Sequence, residues 1–126
     1  MTAVLIDSDV LIEVSRARDQ TILARWEELG RGDAVVLCSP VNIAELWQGA
    51  RPHEQAALAA LFAVMTCIPI DAEIGQRAGD YLNQYAKRHN VELGDALIAA
   101  TVSVHNVRLW TRNRRHYPMK GLAFYS

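Results

Sequence analysis

Lysine is almost missing from this chain. Of thirteen basic residues eleven are arginine, and only Lys87 and Lys120 are lysine. Fourteen acidic residues bring the formal net charge to −1, which excludes a general polyanion binder and confines any nucleic-acid contact to a local basic patch. Cysteine is scarce too. Cys38 and Cys67 each sit in an apolar run, outside any CxxC or His-rich cluster, which argues against a zinc framework. Two buried, reduced thiols in a cytoplasmic protein are the expectation. Long apolar runs are lacking: the longest, Ala56 to Met65, is too short to span a bilayer, and Asp7 and Asp9 interrupt any apolar leader at the N-terminus. No membrane partner is expected. Also missing are a Gly-rich phosphate loop, a Ser-His-Asp arrangement and an HExxH pair.

What is there is ordinary for a globular protein. At 126 residues, with 51% hydrophobic and 21% charged, residues 1–126 read as a single domain with a core that needs no staples. The opening run Val4-Leu5-Ile6 reads as a buried strand that breaks into Asp7-Ser8-Asp9, with a short helix continuing over Val10 to Val14. Ile22, Leu23, Trp26 and Leu29 recur at helical spacing over Thr21 to Leu29, and Gly30-Arg31-Gly32 stops that helix. Ala34 to Cys38 is a second strand. Ser39 then caps a helix over Pro40 to Ala50, with Pro40 at its first position, and a further helix covers His53 to Met65.

Cys67 to Ile70 reads as a short strand made edge-like by Pro69, and Asp71 caps a long helix reaching about His89. After the connector Val91 to Gly94, the stretch Asp95 to His105 is apolar nearly all round and reads as a buried helix. Arg108 to Trp110 and Leu122 to Tyr125 are the last strands. Strands alternating with helices throughout predict an α/β fold, a three-layer α/β/α sandwich about a central, mainly parallel sheet.

Ligands of such sheets bind beyond the carboxyl ends of the strands, where Asp7 is expected. Asp7 or Ser8 also suits a helix cap, and Asp9 suits the helix dipole. Asp95 is the sole acid in a helix built for burial, so it either caps that helix, pairs with a cation or binds a metal. Glu45 lies on a polar strip with Asn42, which could orient it; a plain solvated strip looks the same. Asn113 and Thr111 follow the fourth strand, and with Ser8 they could add neutral oxygens, although Asn113 also suits a turn. Arg108, Arg112, Arg114 and Arg115 crowd eight residues, as a solvated loop or as a hold on a phosphate backbone, and His116 could move a proton. Jointly, separated carboxylates on one sheet rim suit Mg²⁺ or Mn²⁺ and phosphodiester hydrolysis.

Four blocks carry a resemblance that spans nearly the whole chain: Val4 to Ile12, Asn42-Ile43-Ala44-Glu45-Leu46, Gly94 to Thr101, and Leu109 to Pro118. In this order and spacing they resemble the PIN domain family, and more narrowly the VapC-type toxins of toxin–antitoxin systems. The resemblance implies a PIN-like fold and a metal-dependent endoribonuclease using Mg²⁺ or Mn²⁺. It implies Asp7, Glu45 and Asp95 as the metal ligands, with Thr111 and Asn113 supporting them in the catalytic site. Arg112, Arg114, Arg115 and His116 become the candidate RNA contacts. Asn113 stands nearest to a position that is often a fourth acid in the family, and His116 stands where another Asp can occur, which leaves the number of metals open. Homodimerisation and inhibition by a cognate antitoxin are further implications, with Ile22, Leu23, Trp26 and Leu29 and the His53–Met65 helix as the candidate groove. Two other readings compete. Asp7-Ser8-Asp9 could be the DxD of a haloacid-dehalogenase-like phosphatase with Asp7 as nucleophile, or the chain could be a PIN-like module that binds RNA or protein without cutting.

Overall fold

The structure is a computed structural model in which residues 2–125 are described. Its elements run β1 (Ala3–Ile6), α1 (Ser8–Arg16), α2 (Gln20–Arg31), β2 (Val35–Cys38), α3 (Pro40–Gln48), α4 (Gln55–Ala63), β3 (Thr66–Cys67), α5 (Ala72–His89), α6 (Leu93–His105), β4 (Arg108–Trp110) and β5 (Ala123–Phe124). Two short 3-10 turns, Pro52–Glu54 and Arg114–His116, complete the described chain. The five strands form one sheet in the order β3-β2-β1-β4-β5, and every neighbouring pair is parallel. The sandwich expected from the sequence is therefore present, with an all-parallel sheet.

Strand residues alternate between two cores, as a sheet covered on both faces requires. Leu5, Leu37 and Leu109 face one way and pack with Ile74, Ala78, Ala99 and Val102 of α5 and α6. Val4, Ile6, Cys38 and Trp110 face the other way, against Val10, Leu11, Ile22, Leu46 and Leu58 of α1 to α4. The strand order reverses direction beside β1. Successive connections step outward to β2 and β3, and the chain then returns through α5 and α6 to β4 on the opposite side. A crevice opens at such a switch point, outside the carboxyl ends of the strands.

Several boundaries differ from the sequence expectation, each for a local reason. Residues His53 to Met65 are not one helix: Pro52 opens a 3-10 turn, and α4 begins only at Gln55. The β3 strand is Thr66–Cys67, ending short of Pro69, and it does lie at the sheet edge. The α6 helix starts at Leu93, not Asp95, because Glu92 is its cap. Burial of both thiols is also corrected, since Cys38 is buried but Cys67 is exposed. Ile22 and Leu29, expected as part of a partner groove, are buried in the second core with Leu58. Among the described residues, no helix is long and apolar enough to cross a membrane.

Candidate active site

Asp7 emerges from β1 with extended backbone (φ −74°, ψ 158°) and caps α1, its Oδ1 accepting the Ser8 N–H at 2.8 Å. Its Oδ2 accepts two hydroxyls, Thr111 Oγ1 at 2.9 Å and Tyr117 Oη at 2.8 Å. The residue is only 8% exposed. Three donors offset the water its charge has lost. The cap and the active-site carboxylate, alternatives in the sequence, are here the same group. Burial, with the Asp7 charge beside it, pushes the Tyr117 hydroxyl far above the ordinary tyrosine range, so it remains a donor.

Asp9 projects toward the same loop. Its Oδ2 accepts the Arg112 N–H at 3.1 Å and lies 3.4 Å from Thr111 Oγ1. Its Oδ1 is buried without a hydrogen-bond partner among the described residues. Burial first, and the Asp7 charge second, push its carboxyl up to about 6. Thr111 thus joins β1, α1 and β4: it faces both aspartates and accepts the Asn113 N–H at 3.0 Å.

Glu45 arrives from α3, the helix that follows β2. Ser39 caps this helix and Asn42 closes the capping box, with Asn42 Oδ1 accepting the Ser39 N–H at 2.8 Å. The other end of the Asn42 amide donates to Ser8 Oγ at 3.0 Å, and Ser8 donates in turn to Glu45 Oε1 at 2.7 Å. Asn42 therefore orients Glu45 through Ser8 and not directly, and it is fully buried, not part of a solvated strip. At Gly94 the start of α6 comes close: an added Cβ would lie 3.4 Å from Glu45 Oε2.

Asp95 is the third position of α6 and part of its capping box, accepting the Glu92 N–H at 3.2 Å through Oδ2. Its Oδ1 lies 3.9 Å from His116 Nδ1. On the far side of that ring, His116 Nε2 is 3.1 Å from Asn113 Nδ2, an arrangement that makes Nε2 the acceptor and leaves a proton on Nδ1 facing Asp95. Partial burial raises the carboxyls of Glu45 and Asp95. The Asp7 charge raises both further, and Asp95 also raises Glu45.

These groups line one cleft of about 420 Å³, which holds Asp7, Asp9, Glu45, Asp95, Asn113 and His116. Expected residues from all four sequence blocks have been brought together, with Thr111 directly behind Asp7. The arginines have not. Arg112 reaches Glu13 at 3.5 Å, the Arg114 guanidinium lies 4.6 Å from the centre of the Phe124 ring, and Arg115 is exposed away from the cleft lining. The sequence reading assigned Asp9 a helix-dipole role and a place in the DxD of the phosphatase reading but not among the metal-site candidates, and it missed the Tyr117 hydroxyl on Asp7. The D-x-D spacing at a strand end is the signal for the first; nothing local signals a contact across 110 positions. Neither Lys87 nor Lys120 lines the cleft, so the lysine that a dehalogenase-like phosphatase requires is lacking there.

The donors are oxygens and one imidazole, with no sulfur, a set that suits a hard divalent cation. Among the described residues, no three His, Cys, Asp or Glu side chains are already gathered as a metal cage. What fits the ion is the uncompensated charge: burial and the Asp7 charge raise the carboxyls of Asp9, Glu45 and Asp95, and the buried Asp9 Oδ1 is unpartnered. A cation would relieve both conditions.

Comparison with known proteins agrees with the fold. The PIN domain model matches residues 4–122. Ribonuclease VapC10 of Mycobacterium tuberculosis is 40% identical over 118 residues, covering 92% of this chain and 86% of that protein. VapBC2 from Rickettsia felis, solved bound to a DNA fragment from their promoter, shares the fold with a TM-score of 0.83 at 17% identity, covering 98% of both chains. A toxin–antitoxin complex from Klebsiella pneumoniae gives a TM-score of 0.76 at 21% identity, over 94% of this chain and 92% of that one.

Proposed function

The chain belongs to the PIN domain family, and from that membership we propose that it is a VapC-type ribonuclease toxin, a metal-dependent endoribonuclease restrained by a cognate antitoxin. The observation that carries the proposal is the convergence of Asp7, Glu45 and Asp95, from three separate elements, on one acidic cleft. The ribonuclease relative at 40% identity supports RNA as substrate, and the toxin–antitoxin complex among the fold neighbours supports the antitoxin. Homodimerisation is retained from the family resemblance.

In this reading Asp7, Glu45 and Asp95 hold Mg²⁺ or Mn²⁺, with Asp9 beside them. Such a cation, when bound, lowers the pKa of water and neutralises charge on a phosphate oxygen. The chain's own residues do the positioning. Thr111 and Tyr117 fix both the tilt and the burial of Asp7 through Oδ2. Ser8, itself held by Asn42, fixes Glu45 through Oε1. His116, with Nδ1–H toward Asp95 and Nε2 on Asn113, is oriented beside that carboxylate. Arg115, exposed and without an ion pair among the described residues, is the arginine of its block free to meet a phosphate.

The test is cleavage of a mixed cellular RNA pool by the purified full chain, shown free of any co-purified partner, in Mg²⁺ or Mn²⁺. EDTA and Asp7→Asn are the controls. Discrete fragments that disappear in both controls support the proposal. Intact RNA with metal present, together with RNA binding that survives EDTA and Asp95→Asn, would replace the nuclease with a non-cleaving module.

A further inference from the structure

The two cysteines lie far apart in sequence but side by side in the sheet. Cys38 ends β2, Cys67 ends β3, and the two are register partners in a parallel pair. The ladder is intact at this point: the N–H of Ile68 donates to the Cys38 carbonyl at 2.9 Å. Register partners on adjacent strands project from the same face of a sheet. Here that is the face carrying the core of α1 to α4, into which Cys38 packs. Adjacent strands lie about 4.8 Å apart, within the ~4.4–6.8 Å Cα separation that a disulfide bridges. The thiols also sense each other. Burial, then the charge and hydrogen bond of Cys67, push the Cys38 thiol up to about 12.

Their surroundings differ in a way that assigns roles. Cys67 is exposed on the edge strand, and Cys38 is buried at 0%. An oxidant from solution reaches Cys67 and not Cys38, while Cys38 reaches only Cys67. This is the arrangement of an attacking thiol and a resolving thiol.

We propose that Cys67 and Cys38 form a hydroperoxide-reactive dithiol site that closes to an internal disulfide between β2 and β3. The Cys67 thiolate attacks the outer oxygen of the peroxide. The O–O bond breaks, Cys67 becomes a sulfenic acid, and the other oxygen leaves as water or an alcohol after taking a proton. The Cys38 sulfur, giving up its proton, then attacks the Cys67 sulfur. The S–O bond breaks, a second water leaves, and the S–S bond forms. The two thiols are together oxidised by two electrons, and the peroxide is reduced by two.

The bond would close a loop with a defined content. Between Cys38 and Cys67 the chain contains α3 and α4, and with α3 it contains Asn42 and Glu45. Oxidation would therefore tie both ends of the segment that brings Glu45 to the cleft, and would staple the two-residue edge strand to its neighbour. The effect expected on the fold is stabilisation, because a closed loop limits the unfolded chain.

The experiment uses the reduced full-length chain treated with stoichiometric hydrogen peroxide. The expected product is a polypeptide not covalently joined to another chain and lighter by two hydrogen atoms, with no free thiol and a Cys38–Cys67 linked peptide after digestion. Its Tm should rise by about 5–10 °C and return on treatment with dithiothreitol. Cys38→Ala should instead leave a sulfenic acid on Cys67 that dimedone traps. Cys67→Ser, at an exposed site, should leave Cys38 unreactive in the folded protein. Oxygen added to Cys67 with Cys38 still free in the wild type would overturn the proposal. So would chains joined through Cys67, or no reaction under conditions that oxidise a free thiol control. None of these readouts involves RNA cleavage, so the dithiol proposal stands or falls independently of the nuclease.

Discussion

Asp7 serves both the fold and the proposed chemistry, and the two roles can be separated by the choice of substitution. Asp7→Asn keeps an acceptor for the Ser8 N–H but sets an amide NH2 where the Thr111 and Tyr117 hydroxyls donate, so we expect a stability loss of about 1–2 kcal/mol. Asp7→Ala leaves all three donors without this acceptor and should cost about 2–3 kcal/mol. Both variants should lose at least ~100-fold in RNA cleavage. Urea melts beside cleavage assays give the comparison, and wild-type activity in Asp7→Asn would remove this carboxylate from the mechanism. Tyr117→Phe deletes one donor to Asp7 Oδ2 and nothing else. A roughly 10-fold loss of cleavage is expected, with a stability change of about 1 kcal/mol. Asp9 makes a prediction about pH. Its carboxyl is raised from 3.8 to about 6 in the fold, so the folded chain keeps a proton that the unfolded chain has released. The resulting stabilisation is complete below the unfolded value and is lost as pH rises through about 6. After discounting for solvent around the group, that loss is about 1–2 kcal/mol. Asp9→Asn should therefore be more stable than wild type at about pH 8 and nearly equal to it at about pH 4, measured by urea melts in EDTA. Parallel pH profiles for the two proteins would contradict the assignment.

At the scale of the element, α3 is the part on which the site depends most. A capping box that looks purely structural in the sequence continues, through the second end of the same Asn42 amide, to Ser8 and Glu45. Asn42→Ala leaves the Ser39 N–H unpaired in a buried place and frees Ser8. The expected cost is about 2–3 kcal/mol of stability together with a loss of cleavage larger than the unfolded fraction explains. Asn42→Asp separates the two effects, since it retains the acceptor for Ser39 and loses the donor to Ser8. If cleavage per folded molecule is unchanged in both variants, the relay to Glu45 has no functional role. The α6 helix shows the same double use. Its capping box begins at Glu92, which places Asp95 in the first turn with one oxygen on the backbone and the other toward His116.

At the scale of the whole molecule, the switch point of the sheet brings acids from residues 7 to 95 into one cleft, where their repulsion works against the fold. A divalent cation that binds only the folded chain should therefore stabilise it. At tenfold saturation by Mn²⁺ the gain is about 1.4 kcal/mol, which corresponds to a few degrees in Tm. Because the carboxyls of Glu45 and Asp95 are both raised, protons compete for them, and the shift should shrink as pH falls. EDTA should abolish it. Differential scanning fluorimetry on wild type and Asp95→Asn is sufficient, and an equal shift in both proteins would place the ion elsewhere.

Strand and helix order and the parallel class of the sheet were legible in the sequence from local chemistry: apolar runs that end in acids, and Ser39-Pro40 opening a helix. Asp7, Glu45, Asp95, Thr111 and Asn113 each had a plain structural reading beside the functional one, and the family resemblance is what set them together as candidates. Where the sequence failed, the deciding contact was long-range or at an element boundary. Pro52 diverted the start of α4, and Glu92 took the cap assigned to the residues around Asp95. Composition suggested two buried thiols, but burial depends on sheet position, and the edge strand leaves Cys67 in solvent. The Tyr117 hydroxyl on Asp7, the pairing of Asp9 with the β4 loop and the diversion of Arg112 and Arg114 to Glu13 and Phe124 exist only once β1 and β4 lie side by side. Sequence by itself determined which groups were available at the rim. Tertiary structure decided which of them share a hydrogen bond, because those pairings are set by strand order and not by spacing along the chain.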